Sequence, residues 1–470
     1  MPRRTRAPQE DLFNKFEGGL AQDSKERIEV PFWKILDNGW IRDKNEFHGR
    51  PHPHSYLGLT NPAGIAESHD NEPIVLANGS VYVNGVIKGS YTGSGPVSYD
   101  CALGKTVITA GGVPVIYDGT TVFAMSHTDV KSLALAYGPS KSRLFFVKNS
   151  DPSTLWFTTR GNWNDIGSTK TDEDGFDFKT EGGRIKGWES DILHVMEFQG
   201  DLMVFCRGGL YRLDFSAKEG LMYPVKHPVA KIEIWDVQPL RFPTGIYFVN
   251  RLGPHVYSIG DVGPFVAPIP IKKNRRALRT TLLESEARLG VDMARDLVYL
   301  RTRASEDLWV LHNEEDNIFS RWDIDVTDAK TIDGVVYMTN PNGVFTLEDQ
   351  GDGQNYYDIR LRSGLLGFGN PFHLKRMESI GAIVRITEKS SYYLGFLPDR
   401  LSDATKVPTK RPKKYTGPEN FDELVRLDEG TKWGFSIGAF DLVFRNYGEF
   451  ILYDLYAQWW DKNERREDSA

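Results

Sequence analysis

IVLANGSVYV, residues 74–83, joins two apolar runs through Asn78-Gly79, and its reading sets the fold of the whole chain. The pattern is an apolar run, a turn of Gly, Asn, Asp or Pro, then a second run carrying Val, Leu, Tyr or Trp. It recurs as TVITAGGVPVIYDG (106–119), RLFFVKNSDPSTLWFT (143–158), DLMVFCRGGLYRLD (201–214), GIYFVNRLGPHVYSIG (245–260), DLVYLRTRASEDLWVLH (296–312) and GVVYMTNPNGVFTL (334–347). The hairpins start about 43 residues apart on average, and a strand-bearing period near 40–50 residues is the mark of a β-propeller. A blade cannot bury both faces alone, so such units stack around an axis. The expectation is an all-β chain built on a six- or seven-bladed β-propeller. The count stays open by one, because a hairpin can belong to an arm or to ring closure.

Composition agrees with a globular β protein. The 470 residues are 40% apolar, 12% aromatic and 26% charged, with 45 Gly and 25 Pro to supply turns. A net charge of −7 argues against a dedicated nucleic-acid binder with a basic face, though an acidic wall lets DNA slide past without sticking. Cys101 and Cys206 lie in or beside apolar strands and read as two buried thiols, since one pair offers no zinc-ligand spacing. No run approaches 18 apolar residues, and the basic start MPRRTRAPQEDLF lacks an apolar segment behind it. Neither membrane insertion nor a signal peptide is expected, and the chain reads as made and used in the cytoplasm.

Four regions follow along the chain. Residues 1–60 read as an N-terminal arm with Phe32, Trp33, Ile35, Trp40 and Ile41 as anchors. Aromatic residues without a core of their own suggest packing on another domain or a neighbouring subunit, so removal of residues 1–45 is expected to leave the propeller folded. Residues 61–355 hold the propeller, interrupted by a Gly- and Asp-rich surface loop after residue 160 and by RRALRTTLLESEARLGVD (275–292), which suggests a short helix. Residues 356–460 alternate as strands around a Pro-rich linker and read as a small β-sandwich-like domain. Residues 461–470 form a charged tail.

The catalytic inventory is thin, and no enzymatic activity, cofactor or metal is expected. TDEDGFDF (171–178) fails as an EF-hand, because Phe176 and Gly183 stand at the fifth and twelfth positions from Asp172. It also misses the aspartate box of sialidase propellers, with Glu173 where Asp is needed, and reads as a solvated loop. His48, His52 and His54 are separated by Pro51 and Pro53, whose extended backbone points neighbouring side chains apart. Lys272, Lys273, Arg275 and Arg276 form one basic cluster and Lys410, Arg411, Lys413 and Lys414 another. Both read first as solvated faces, with the former group a candidate contact for DNA or an acidic partner.

Three passages together resemble one known family. LWFTTRGNWNDIG (155–167) resembles a Gly-Asn-Pro-x-Asp turn, with Trp163 where the family often has Pro; NGWIRDKNEFHG (38–49) resembles its arm-entry segment; and GFGNPFHLKRMESIGAIV (367–384) resembles the strand opening its C-terminal β domain. The intervening GSYTGSGPVSYDCALGKTVITAGGVPVIYDG (89–119) fits the same order. The chain is thus similar to the packaged-DNA stabilisation proteins, or tail hub and nozzle proteins, of short-tailed bacteriophages. The resemblance implies a structural virion protein of the tail: a homohexameric ring below the portal and head–tail adaptor. That ring would retain packaged double-stranded DNA, pass it through its lumen without sequence specificity during ejection, and meet a tail needle, tip or fibre. Phe32, Trp33, Trp40, Trp459 and Trp460 are then candidates for subunit contact. Two other classes remain in play. A glycan-processing propeller enzyme is disfavoured by the missing repeated aspartate boxes, and a cellular protein-binding propeller by the missing tryptophan-aspartate or kelch repeats.

Overall fold

The computed structural model describes residues 9–13, 33–42 and 46–363, with gaps at 138–141, 168–169, 244, 261–262, 269–280, 304–307, 313–317 and 350–355, and then strands within 375–461. The fold is an all-β propeller of seven four-stranded blades. Blade I comprises Gly64–Glu67, Pro73–Ala77, Ser80–Val83 and Val86–Ser90. Blades II to V run Gly93–Ala124, Val130–Ile185, Ile192–Ala230 and Leu240–Pro268, each as an antiparallel meander. Blade VI is Arg288–Asp292, Leu297–Arg301, Leu308–His312 and Ile318–Trp322. Each quoted hairpin supplies the second and third strands of one blade, so seven hairpins are seven blades. Asn78 and Gly79, at φ 50° and 75°, make the mirror-image turn that a twisted two-residue hairpin requires, and a Cβ-free residue adopts the second of these angles without strain.

Ring closure uses the front of the chain. Asp328–Ile332, Val335–Asn340 and Gly343–Glu348 give only three strands of blade VII, and His52–Leu57 adds the fourth, with Leu57 opposite Val344 and His52 opposite Glu348. The segment 1–60, expected as an arm, therefore supplies a propeller strand, and the boundary at residue 60 falls between blade VII and blade I. The core lies between blades as stacked apolar layers. One layer joins blades I and II through Ile74, Leu76, Ile108 and Tyr117. Another joins III and IV through Phe145, Phe157, Val204 and Leu213. A third joins VI and VII through Tyr299, Trp322, Val336 and Met338.

The segment expected to be a detachable arm is built into this core. Trp40 sits in the blade VI–VII layer, Trp322 donates its indole N–H to the Gly39 carbonyl at 2.9 Å, and Arg321 pairs with Asp37 at 2.8 Å. Asn38, buried at φ 58°, donates to the Asp358 carbonyl and accepts from Arg50 and from the backbone N–H of Asp323. One side chain thereby ties blade VI, the N-terminal segment and the strand Tyr357–Ser363. The expectation that residues 1–45 can be removed without loss of the fold is corrected by this burial.

Trp33–Asp37 pairs in parallel with blade VI and antiparallel with Tyr357–Ser363, which carries the sheet on to Gly438–Asn446, Ser390–Pro398 and Lys413–Tyr415. The result is a nine-stranded sheet running from a blade into the C-terminal region. A second sheet of seven strands centres on Lys375–Ile386 and Phe450–Asp461 and includes Gly39–Ile41, Phe47–Gly49 and Gln9–Phe13. Phe444 and Phe450, 4.7 Å apart, bridge the two sheets.

The loop after residue 160 is not simply solvated. Trp163 and Phe176 are buried, and Arg143 reaches into the insertion, donating to the carbonyls of Thr158, Glu181 and Phe178 while its guanidinium lies 4.2 Å from the Phe178 ring centre. Within TDEDGFDF the Asp174 carboxylate is taken by Thr171, and that of Asp177 by Lys179 and Thr180, so these acids cap turns. Of the segment 275–292, Arg288–Asp292 is the innermost strand of blade VI rather than helix, and residues 275–280 lie outside the described residues.

Candidate functional site

The innermost strands of all seven blades converge on an axial cavity of about 270 Å³. Its charged and polar lining includes Glu67, Tyr99, Asp100, Glu197, Arg241 and Lys330. Short polar side chains on these strands cross from blade to blade and bond the neighbour's backbone. Asp328 accepts from Ile65 N–H at 2.9 Å, Ser98 from Leu133, Asp100 from Leu135, Ser132 from Val195 and Thr331 from Met293. Their polarity is therefore structural, since each satisfies an amide that the splayed inner strands leave without a ladder partner.

The remaining charges are balanced within the wall. The Glu197 carboxylate accepts from Gly200 N–H at 2.6 Å and lies 3.4 Å from Arg241, whose guanidinium also bonds the Glu197 carbonyl. Burial pushes the Glu67 carboxyl above its ordinary range, against the pull of Lys330 and Arg241. Lys330 Nζ stands 5.3 Å over the Tyr99 ring, and burial holds the Tyr99 hydroxyl protonated. Cys101 donates to the Glu67 carbonyl at 3.3 Å. The Cys206 thiol, buried between blades III and IV, is pushed up to about 12, so it is no thiolate at neutral pH.

Gln238 lines both this cavity and a wider one of about 590 Å³ where the inner strands begin. Lys131 pairs there with Asp236 at 2.7 Å and Arg207 with Glu284 at 3.0 Å. Asp236 also stands 3.1 Å from His194 Nε2. Burial raises Asp236, but His194 and after it Lys131 outweigh that and hold the carboxyl far below its usual range. Burial holds His194 itself neutral.

The residues singled out from sequence fall elsewhere. Trp40 is enclosed in this chain's own core, its ring tilted against that of His48 with centres 5.1 Å apart, which removes it as a surface anchor for another subunit. Trp33 lies in the strand linking blade VI to Tyr357–Ser363. Trp459 and Trp460 lie at the end of the strand Phe450–Asp461, Trp459 opposite Gln9 and Met377 and Trp460 opposite Arg376. Phe32, Lys272, Lys273, Arg275 and Arg276 lie outside the described residues. His52 packs against Tyr357 and His54 sits opposite Thr346. Among the described residues no group of three or more His, Cys, Asp or Glu is placed to hold a metal, and no helix is long and apolar enough to cross a membrane. Sequence reasoning missed the axial lining. Its available signal was the set of polar residues, such as Ser98, Asp100 and Ser132, interrupting apolar runs between the hairpins.

No family model and no curated protein matches the chain. Among solved structures it is similar to the extracellular domain of a protein assigned as a one-component system in B. thetaiotaomicron, at 10% identity and TM-score 0.40, covering 65% of this chain and 40% of that one. It is similar to PorZ, a surface component of the type-IX secretion system of Porphyromonas gingivalis, at 12% identity and TM-score 0.38, covering 70% and 44%. BamB from Moraxella catarrhalis aligns at 9% identity and TM-score 0.35, covering 73% and 96%. The chain spans less than half the length of the first two, and likenesses this distant carry no function across. The fold stands on the strand pairing itself.

Proposed function

We propose that the chain is a structural protein of a short-tailed phage tail, a hub subunit that forms a ring below the portal and adaptor, retains packaged double-stranded DNA and channels it at ejection. The observation that carries the reading is the continuous nine-stranded sheet, which joins blade VI to the C-terminal strands through a strand of the N-terminal segment. The order of arm, propeller and C-terminal β layer matches the family resembled in sequence, and a hydrogen-bonded junction suits a wall under lateral load. A cavity of about 270 Å³ cannot pass a duplex whose major groove alone is about 12 Å wide, so DNA would run between subunits and not along the propeller axis. A ring of this kind needs two different contact patches per subunit.

The test is assembly. The purified chain, alone and with its portal and adaptor, is sized by light scattering after gel filtration and viewed end-on by electron microscopy. The expected outcome is a closed ring, with six copies in the reading above. A chain that stays monomeric beside both partners overturns the hub assignment and leaves a protein-binding propeller.

A further inference from the structure

The wider cavity at the start of the inner strands has an unspent cation. Arg288 donates to the carbonyls of Ser285 and Ala287, and both bonds leave from Nη1. Among the described residues no carboxylate stands within ion-pair distance of it, although Asp328, Asp236 and Glu286 lie near enough to favour its charge, and Arg288 lines the cavity. Lys131 and Arg207 are each matched by their own acid, Asp236 and Glu284. The lining thus carries three cations and two carboxylates, and Arg288 is the cation without an ion pair of its own. His194, 2% exposed, lines the same cavity with Nε2 facing Asp236 at 3.1 Å, and Asn149 lines it too.

We propose that this axial mouth is an oxyanion-binding pocket that receives a carboxylate or phosphate group on Arg288, flanked by the Lys131–Asp236 and Arg207–Glu284 pairs, whose cations hold those acids away from the incoming anion. A planar guanidinium presents two parallel N–H donors to such a group, and burial strengthens the pair. Burial and the nearby Arg301 already disfavour the Arg288 cation, a cost that an incoming anion removes. The inference is independent of the tail reading, since a free phosphate and an acidic side chain of a partner present the same oxygens.

The full chain is titrated calorimetrically with inorganic phosphate and, separately, with succinate, at ionic strength held constant with potassium chloride. Saturable binding of either probe is expected, phosphate alone indicating a small phosphate ligand and succinate a carboxylate one. Arg288→Gln should weaken it at least tenfold. Arg207→Gln, at a half-exposed side chain, should weaken it severalfold while melting as the parent does, and it decides the matter if Arg288→Gln fails to fold. Lys218→Gln, on the exposed tip of blade IV, should bind as the parent does. Absence of saturation with both probes, or parent-like binding by both arginine variants, overturns the pocket.

Discussion

Arg143 illustrates what single residues do in this fold. It heads the second strand of blade III at 1% exposure and holds three carbonyls of the insertion that follows residue 157. Burial, with Arg160 nearby, brings its pKa down to about 10, yet it stays charged at neutral pH. Arg143→Met keeps the bulk and strands those carbonyls, at a cost on the order of 1–3 kcal/mol for each one left unbonded. The expected outcome is a lower urea midpoint and faster proteolysis within residues 158–182, while unchanged values for both would show that the guanidinium is dispensable. Arg143 was not legible as an anchor, because its partners are backbone carbonyls that leave no trace in residue type. Asn38 escaped notice because two of its partners, the Asp358 carbonyl and the Asp323 N–H, are backbone groups about 285 to 320 residues away.

At the scale of elements, the hairpins were legible because each carries both an apolar run and a turn signal. The first and fourth strands were not. Inner strands such as Gly93–Ala102 carry Ser98 and Asp100 for stitching, which breaks the apolar pattern. The outermost strand of blade IV contains Pro224 and Pro228, tolerated at a sheet edge but readable as loop. His52–Leu57 was hidden by Pro53 in the same way. The C-terminal β region was visible, but its two sheets borrow strands from the N-terminal segment, and no local pattern announces a partner more than 300 residues away. The test is a pair of truncations. Removing residues 1–30 takes away only the edge strand Gln9–Phe13 and should lower the melting temperature slightly. Removing 1–45 takes Trp40 from the core, a loss of about 3–5 kcal/mol for a buried tryptophan, and should lower it sharply. Equal melting of the two would contradict the packing described.

For the whole molecule, stability should depend on pH through histidines in separate blades. His127, His194 and His255 are all buried, and burial lowers each pKa; the carbonyls of Trp163 and Gly253 pull the first and last the other way. The unfolded chain takes up protons at these sites near pH 6.5, whereas the folded chain does so only at lower pH. Stability is therefore full above about pH 6.5 and falls below it, by up to about 1.4 kcal/mol per pH unit for each histidine. Melting from pH 8 to 5.5 should show that decline, and His255→Gln should make it shallower. A flat profile would mean that these imidazoles titrate alike in both states.

Blade VII also imposes an order in time. Its outer strand, His52–Leu57, leaves the ribosome about 290 residues before Val344, which it must meet. At about 5–20 residues per second that is a wait of roughly 15–60 s with a strand edge unclaimed. Six blades can stack while the clasp hangs open, and the ring becomes a closed body only when the oldest part of the chain finds nearly the youngest part of the propeller. Slow translation lengthens that exposure, so the nascent chain is most open to mispairing with other copies when synthesis stalls before residue 343.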